Sequence, residues 1–290
     1  MTSPRFGVST HLYHEQQLDR DHLVEIAAHR FELVELFATR THFDYHDSAR
    51  VRSLAEWLED TRLTLHSVHA PICASFIKGQ WGDTFSNAVA DDQRRRHALA
   101  EAEVALAIAQ TIPYRHLVVH LGVPDSMKPA AFDNSRDAAR RSVDALQEMS
   151  ERAGVQLAIE VISNKLSTPE SLVSFIEDDL DGARVGICMD VGHAHMMGDL
   201  GDAIEACSGH IVTTHLHDNR QKADDHLTPG EGTIDWPAAL MTLQKVGYDE
   251  PWMFEVANTS TTRAVLEKAD KARRKFETLL DVSFENPQAL

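Results

Sequence analysis

Eight short apolar segments alternate with longer amphipathic segments along the chain, and this alternation constrains the fold more than any other sequence feature. The apolar segments have the length of strands, and the runs between them show the apolar spacing of three and four residues that is typical of helices. Strands that alternate with helices predict βα units around a parallel sheet, and eight such units predict a single (β/α)8 barrel of the TIM-barrel type. The predicted strands are Phe6–Ser9, Leu33–Phe37, Leu63–His69, His116–His120, Gln156–Glu160, Val185–Asp190, Ile211–His215 and Trp252–Glu255.

Local signals support the predicted helices between these strands. Apolar residues between Ala98 and Ala109 follow the helical spacing. A second helix is predicted over 133–153, because Gly154 suits the position just after a helix end. Thr168 and Pro169 predict a helix start with proline in the first turn. The strands are continuously apolar, as expected for a sheet that helices cover.

Length and composition indicate one domain. Residues 1–290 are predicted to form a single barrel, with residues 281–290 as a frayed tail. No run of about 18 apolar residues predicts a membrane span. The first ten residues lack the pattern of a signal peptide, so we expect a cytoplasmic protein. The cysteines Cys73, Cys188 and Cys207 are too scattered for a disulfide framework, and Cys188 is interpreted as a small buried apolar residue.

Potential metal ligands lie at, or just after, the ends of strand-like segments throughout the chain. The carboxyl ends of barrel strands meet on one face, so we expect these side chains to converge there. Imidazole suits zinc, and carboxylates also suit manganese and magnesium. The candidates are His69, His120, Glu160, Asp190, His193, His215, Asp224, His226 and Glu255.

Each candidate also has a structural interpretation when taken alone. Asp190 can cap the helix that follows it, and His69 and His120 can be core histidines. Glu160 and Glu255 each close an apolar strand, where a buried glutamate needs an ion pair or a metal. Two glutamates on separate strands can also flank a substrate, one removing a proton from carbon and the other returning it.

Several other residues are candidates for binding a substrate. The connection from Pro71 to Asp91 is long and contains aromatic residues, which predicts a lid or pocket wall. Its Trp81 and Phe85 are expected to cover an apolar face of the substrate, and His193 to bind a substrate oxygen. Asn164, Lys165, His11 and Glu35 are further candidates to line the pocket.

The charge of the chain disfavours nucleic acid as a partner. It has 28 basic and 45 acidic residues, a net charge of −17 that repels phosphate backbones. Neither the glycine-rich dinucleotide motif at a strand-to-helix turn nor a Walker loop is present, so no nucleotide cofactor is predicted.

The segments that carry these residues resemble the xylose isomerase-like TIM-barrel superfamily, which includes endonuclease IV and many sugar isomerases and epimerases. The resemblance covers essentially the whole chain. Its marks, in the expected order, are VHAP, IEV, MDVGHAH, HLHDN, DHLTPGEGTIDW and FEV.

The resemblance implies one of two ligand sets. In the epimerase and isomerase branch one divalent metal is held by residues that match Glu160, Asp190, His215 and Glu255, and the two glutamates are also the acid/base pair. In the endonuclease branch three zinc ions use a set that matches all nine candidates. However, Ala70, Pro71 and Ile72 do not match the residues with which endonuclease IV enters the DNA minor groove.

We therefore expect a metal-dependent isomerase or epimerase of a sugar or related hydroxy-carbonyl compound, acting through a metal-stabilised enediolate. The expected cofactor is manganese or zinc, with one to three ions. A carbohydrate is the expected partner, without a membrane, and the family resemblance allows a homodimer. The alternatives are a multi-zinc phosphodiesterase or AP endonuclease and a non-catalytic sugar- or metal-binding barrel.

Overall fold

The predicted parallel barrel is present in a computed structural model that describes residues 4–180 and 184–285. The strands are β1 (Phe6–Ser9), β2 (Leu33–Phe37), β3 (Thr64–His69), β4 (Phe76–Ile77), β5 (Gln80–Trp81), β6 (His116–Val119), β7 (Gln156–Glu160), β8 (Val185–Asp190), β9 (Ile211–His215) and β10 (Trp252–Phe254). Eight of them form one parallel sheet in the order β10-β1-β2-β3-β6-β7-β8-β9. This order follows the chain, as expected for successive βα units.

The barrel is closed between β9 and β10 by the residue that follows β9. The backbone N–H of Leu216 donates to the carbonyl of Met253 at 2.8 Å, and the N–H of Glu255 donates to the carbonyl of Leu216 at 3.2 Å. Leu216 thereby forms an isolated parallel bridge with Phe254. The contact fixes the backbone around Glu255 relative to the end of β9.

Helices connect the strands on the outside of the barrel. They are α1 (Arg20–Ala28), α2 (Ser48–Thr61), α3 (Asp92–Leu106), α4 (Arg136–Ala153), α5 (Pro169–Ser174), α6 (Val191–Met197), α7 (Leu200–Ala206), α8 (Trp236–Lys245) and α9 (Thr262–Glu285). Short 3-10 segments cover Thr10–Tyr13, Ala107–Gln110 and Asp125–Met127, and a π turn covers Phe175–Asp179.

Most element ends agree with the sequence prediction. Thr168 caps α5, with Pro169 in its first turn, and Gly154 follows α4 with a φ of 70°. The start predicted for α4 was wrong, because Ser135 caps the helix and delays it to Arg136. Residues 281–285 were predicted to be frayed, yet α9 continues to Glu285. Residues 286–290 lie outside the described residues.

The core has an inner and an outer part. Inside the barrel, Val118, Ala158 and Cys188 form a small cluster of fully buried side chains. Cys188 is therefore the small buried apolar residue that the sequence predicts. Outside the barrel, one large apolar cluster fills the space between the strands and the helices. Burial of this cluster supplies the main stabilising free energy of the fold.

The long connection after β3 contains a β-hairpin. Phe76 pairs with Trp81 and Ile77 with Gln80 in an antiparallel ladder. The two turn residues between them are Lys78, with a φ of 51°, and Gly79, with a φ of 76°. Two positive φ angles are characteristic of the tight two-residue turn that matches strand twist. The hairpin places Trp81 at a defined position instead of on an irregular loop.

Among the described residues, no helix combines the length and apolar character needed to cross a membrane.

Candidate metal centre

Four side chains converge at the carboxyl ends of adjacent barrel strands. Glu160, Asp190 and His215 are the last residues of β7, β8 and β9, and Glu255 directly follows β10. They are buried, and each offers a ligand atom within 4.8 Å of the others. The Nδ1 atom of His215 lies 3.2 Å from Oε1 of Glu160, 3.4 Å from Oε2 of Glu255 and 3.8 Å from Oδ2 of Asp190. We call these four residues the central group.

A second group of possible ligands lies on one side of the central group and shares Glu160 with it. His69 ends β3 and His120 follows β6. The Nε2 atoms of both histidines lie 3.0 Å from Oε2 of Glu160. Glu160 thus presents Oε1 to His215 and Oε2 to two further imidazoles. One buried carboxylate is therefore common to two sets of ligands.

A third group of possible ligands comprises His193, His217, Asp224 and His226. Oδ2 of Asp224 lies 3.0 Å from Nε2 of His193 and 3.2 Å from Nε2 of His226. His217 also reaches the central group, because its Nε2 lies 3.0 Å from Oδ1 of Asp190. All nine residues that the sequence singled out thus lie in one connected cluster.

Asp190 both caps a helix and belongs to the central group. Its Oδ1 accepts a hydrogen bond from the backbone N–H of His193 at 2.6 Å, so it caps α6. The same side chain belongs to the central group. The cap fixes the carboxylate and directs α6 so that the His193 ring turns back toward Asp224. The Nδ1–H of His193 can donate to the carbonyl of Val161 at 3.0 Å, which leaves Nε2 for Asp224.

Asp218 organises the loop that carries Asp224 and His226. Its buried Oδ2 accepts hydrogen bonds from the backbone N–H of Gly230 at 2.8 Å and from Nε1 of Trp236 at 3.0 Å. These donors lie in the TPGEGTIDW segment, so the carboxylate holds the loop over the barrel mouth. Charge-assisted hydrogen bonds of this kind are stronger than neutral ones.

Histidines counteract the effect of burial on Glu160, Asp190 and Asp224 and hold the pKa of each carboxyl below its ordinary value. Burial opposes ionisation of Glu160 most strongly, but His120 and His215 outweigh it and hold its pKa well below the ordinary value. Burial likewise opposes protonation of His69 and His226, yet the pKa of His69 is raised to about 9 by Glu160 and that of His226 to about 10 by Asp224. The pKa of His215 is also raised well above its ordinary value, against burial, by the acidic groups around it.

A row of aromatic rings leads from the hairpin to this cluster. Trp81, which is 36% exposed, stacks on His14 with 5.6 Å between ring centroids and an interplanar angle of 10°. His14 stacks on His11 at 4.5 Å, and His11 lies 4.8 Å from the ring of His226. Phe37 adds an edge contact to His11 at 5.0 Å. Two of the residues predicted to bind substrate, Trp81 and His11, therefore lie along one wall that ends at the ligands.

Three other predicted substrate residues have different surroundings. The ring of Phe85 is buried and contacts His97 of α3 at 5.1 Å, so it packs against a helix. The amide of Asn164 donates to the carbonyl of Leu121 at 3.0 Å and its oxygen accepts from two backbone N–H groups of the following turn. Its polar atoms thus hold this turn, and binding of substrate hydroxyls by Asn164 stays a prediction. Lys165 is exposed on the same turn.

His217 is not among the nine candidate ligands predicted from the sequence, and Glu35 was predicted only to line the pocket. His217 is fully buried beside Asp190, and its spacing of two residues from His215 was the available signal. Glu35 is fully buried in β2, where its Oε2 lies 3.1 Å from Nε2 of His215. The sequence signal for Glu35 was a carboxylate within an apolar strand, but its partner His215 could not be identified from the sequence.

Comparisons with known proteins agree with this architecture. Residues 23–281 match the family model described as a xylose isomerase-like TIM barrel. The L-ribulose-5-phosphate 3-epimerase UlaE of Salmonella paratyphi A is 27% identical over 251 residues, which cover 84% of this chain and 83% of that protein.

Two solved structures share the fold. A D-tagatose 3-epimerase-like protein superposes with a TM-score of 0.78 at 24% identity, covering 97% of this chain and 99% of its own. The IolI protein, solved with a bound zinc atom, has a TM-score of 0.75 at 16% identity, covering 94% and 98% of the two chains. At these identities the likeness shows the fold alone.

The substitution Gly192→Ala tests how the third group is packed. A Cβ at Gly192 would lie 2.0 Å from Cε1 of His217, so the imidazole must move from Asp190. We expect a loss of about 1–3 kcal/mol in the free energy of unfolding, the usual cost of overpacking. Gly201→Ala in α7 is the matched control, since its Cβ would lie 3.2 Å from Oδ1 of Asp199. Equal denaturation midpoints for the two variants would contradict this packing.

The raised pKa of His215 predicts that metal affinity increases with pH. A proton and a divalent ion compete for Nδ1 of His215, so the protonated form of His215 opposes binding below its raised pKa. Each displaced proton should strengthen binding about tenfold per pH unit. Zinc titrations at about pH 6, 7 and 8, with proton release followed in weak buffer, measure this. Affinity that does not change with pH, without proton release, would refute the competition.

Proposed function

Because this chain belongs to the xylose isomerase-like TIM barrel family, we propose that it is a divalent-metal-dependent epimerase or isomerase of a sugar or related hydroxy-carbonyl compound. The observation that carries the proposal is the central group, in which three buried carboxylates and one imidazole converge at the barrel mouth. Two of those carboxylates, Glu160 and Glu255, come from separate sides of the group and can act as a proton-transferring pair.

The central group fits a divalent cation by charge and by donor type. Three carboxylates buried together are unfavourable unless positive charge compensates them. Oxygen ligands suit manganese and one imidazole suits zinc, so these two ions agree best with the donor set. The ion would be held by Glu160, Asp190, His215 and Glu255. When bound, it supplies Lewis-acid polarisation of a substrate carbonyl.

The chain's own residues then perform the proton transfer. A hydrogen on the carbon beside a carbonyl is acidic enough for a carboxylate base once the carbonyl is polarised. Either Glu160 or Glu255 removes this proton, and the other glutamate returns a proton to the carbon. Return to the opposite face inverts the carbon and gives an epimer. Return to the neighbouring carbon, together with transfer of the hydroxyl proton to the former carbonyl oxygen, gives an aldose–ketose isomer. His193 binds a substrate oxygen, and Trp81 covers an apolar face of the sugar.

The epimerase relative supports inversion as the first reaction to test. UlaE is named as a 3-epimerase of a ketose phosphate, and it aligns with 84% of this chain. The carbon inverted by a 3-epimerase of a 2-ketose lies beside the carbonyl, as the two-glutamate mechanism requires. A panel of ketoses, with and without a phosphate, is therefore the appropriate substrate set.

The variants Glu160→Gln and Glu255→Gln test the two-glutamate mechanism. We expect each to lower turnover by about 10²–10⁴-fold, because an amide cannot accept the substrate proton. Turnover and deuterium incorporation from D₂O at the inverted carbon are measured together, with metal content determined for every variant. Glu101→Gln is the matched control, since Glu101 is also buried but pairs with His46 and Tyr45 away from the cluster. Full turnover by both variants would exclude the mechanism.

A second candidate is a multi-zinc phosphodiesterase. The observation that favours it is the presence of two further groups of ligands beside the central group, one with His69 and His120 and one around Asp224. Three adjacent ions could activate water for attack on phosphorus. The net charge of −17 opposes a nucleic-acid substrate, which is why this candidate ranks second.

The metal content per chain distinguishes the two candidates. We expect about one tightly held ion after saturation with manganese or zinc and removal of the excess, because the central group is the one ligand group among the described residues that combines three carboxylates with an imidazole. Elemental analysis of protein purified without chelator measures the ratio. Two or three tightly held zinc ions, together with cleavage of phosphodiester or abasic-site substrates, would favour the phosphodiesterase instead.

A further inference from the structure

Glu35 lies inside the barrel, wholly buried behind the central group. Its Oε2 is 3.1 Å from Nε2 of His215, and both side chains are fully shielded from solvent. Ser67 on β3 donates its hydroxyl proton to the same Oε2 at 2.8 Å. Two donors therefore fix one oxygen of a carboxylate that takes no direct part in the central group.

The two ring nitrogens of His215 face opposite partners. Nε2 points to Glu35, whereas Nδ1 points to the carboxylates of Glu160 and Glu255 at 3.2 and 3.4 Å. A neutral imidazole carries one N–H, and an ionised carboxylate can only accept a hydrogen bond. A divalent ion at Nδ1 would displace the proton there, and the one remaining N–H of His215 would lie on Nε2, where Oε2 of Glu35 accepts it.

We propose that Glu35 is a positioning residue that fixes the tautomer and ring orientation of His215, so that Nδ1 is a preformed ligand for the divalent ion. The inference rests on the proposed function, because it assumes that the central group binds metal. Carboxylates that accept the free N–H of a metal-binding histidine orient the ring and make it a stronger donor. Burial of the pair strengthens the effect, since water does not screen it.

The strand register explains how Ser67 comes to support Glu35. The pairing of β2 with β3 shifts between Val34 and Glu35, so that Glu35 lies opposite Ser67 instead of His66. Such an irregularity re-aims side chains and is common beside active sites. It places Ser67, and not the bulkier His66, next to the Glu35 carboxylate.

Titration with Co²⁺ alone, without any sugar, tests the proposal on the full chain. We expect Glu35→Gln to bind Co²⁺ about 10- to 100-fold more weakly than the parent chain and to alter the visible spectrum of the bound ion, because ring orientation changes. Ser67→Ala should weaken binding in the same direction but by less, since it removes only one hydrogen bond to Glu35. Glu101→Gln is the control for loss of a buried glutamate that pairs with a histidine, and its Co²⁺ affinity should match the parent chain.

The outcomes separate this proposal from the proposed function. If the parent chain binds Co²⁺ and Glu35→Gln binds it with the same affinity and spectrum, the role of Glu35 is wrong while the metal centre stands. If the parent chain binds no Co²⁺, both are wrong. Circular dichroism and thermal unfolding of each chain report folding. If Glu35→Gln does not fold, Ser67→Ala decides: weaker binding supports the proposal and unchanged binding overturns it.

Discussion

The burial of several carboxylates together is the constraint on which the rest of this structure depends. Glu160, Asp190 and Glu255 are shielded from water at the mouth of the barrel, and Glu35 is buried inside it behind them. Ionised groups in such a position are strongly destabilising unless opposite charge or hydrogen bonds compensate them. Each of these carboxylates lies beside a histidine, and backbone or hydroxyl groups donate further hydrogen bonds to some of them. The raised pKa values of His69, His193, His215 and His226 express this compensation, and a divalent ion would supply it more completely.

The parallel barrel makes this concentration of charge possible by distributing it over rigid strands. Glu160, Asp190 and His215 each end a strand, and the bridge at Leu216 fixes the backbone of Glu255 beside them. The inner cluster of Val118, Ala158 and Cys188 seals the barrel interior with apolar packing. Ligands held on strands are more precisely placed than ligands held on loops. The candidate ligands Asp224 and His226 lie on a loop, and their placement depends instead on the hydrogen bonds that Asp218 accepts.

The sequence predicted the fold from local periodicity and the nine candidate ligands from their places at strand ends, whereas the choice of Glu160, Asp190, His215 and Glu255 among them came from the family resemblance. Apolar runs of strand length located all eight barrel strands, with end errors of one residue at β3, β6 and β10. The contacts of Asn164 could not be predicted in this way, since an asparagine that binds the backbone of its own turn cannot be distinguished in the sequence from one that binds substrate. His217 was left out because it lies beyond the end of β9, where strand alternation no longer fixes its direction. The link between Glu35 and His215 spans 180 residues and could not be seen without the fold.

Anomalous diffraction from crystals soaked in manganese would locate the bound ion. We expect a manganese peak bounded by Glu160, Asp190, His215 and Glu255, with His215 coordinating through Nδ1 and its Nε2 still directed to Glu35. A peak confined to His193, Asp224 and His226, or no peak in crystals of protein that binds manganese in solution, would contradict the assignment of the central group as the metal centre.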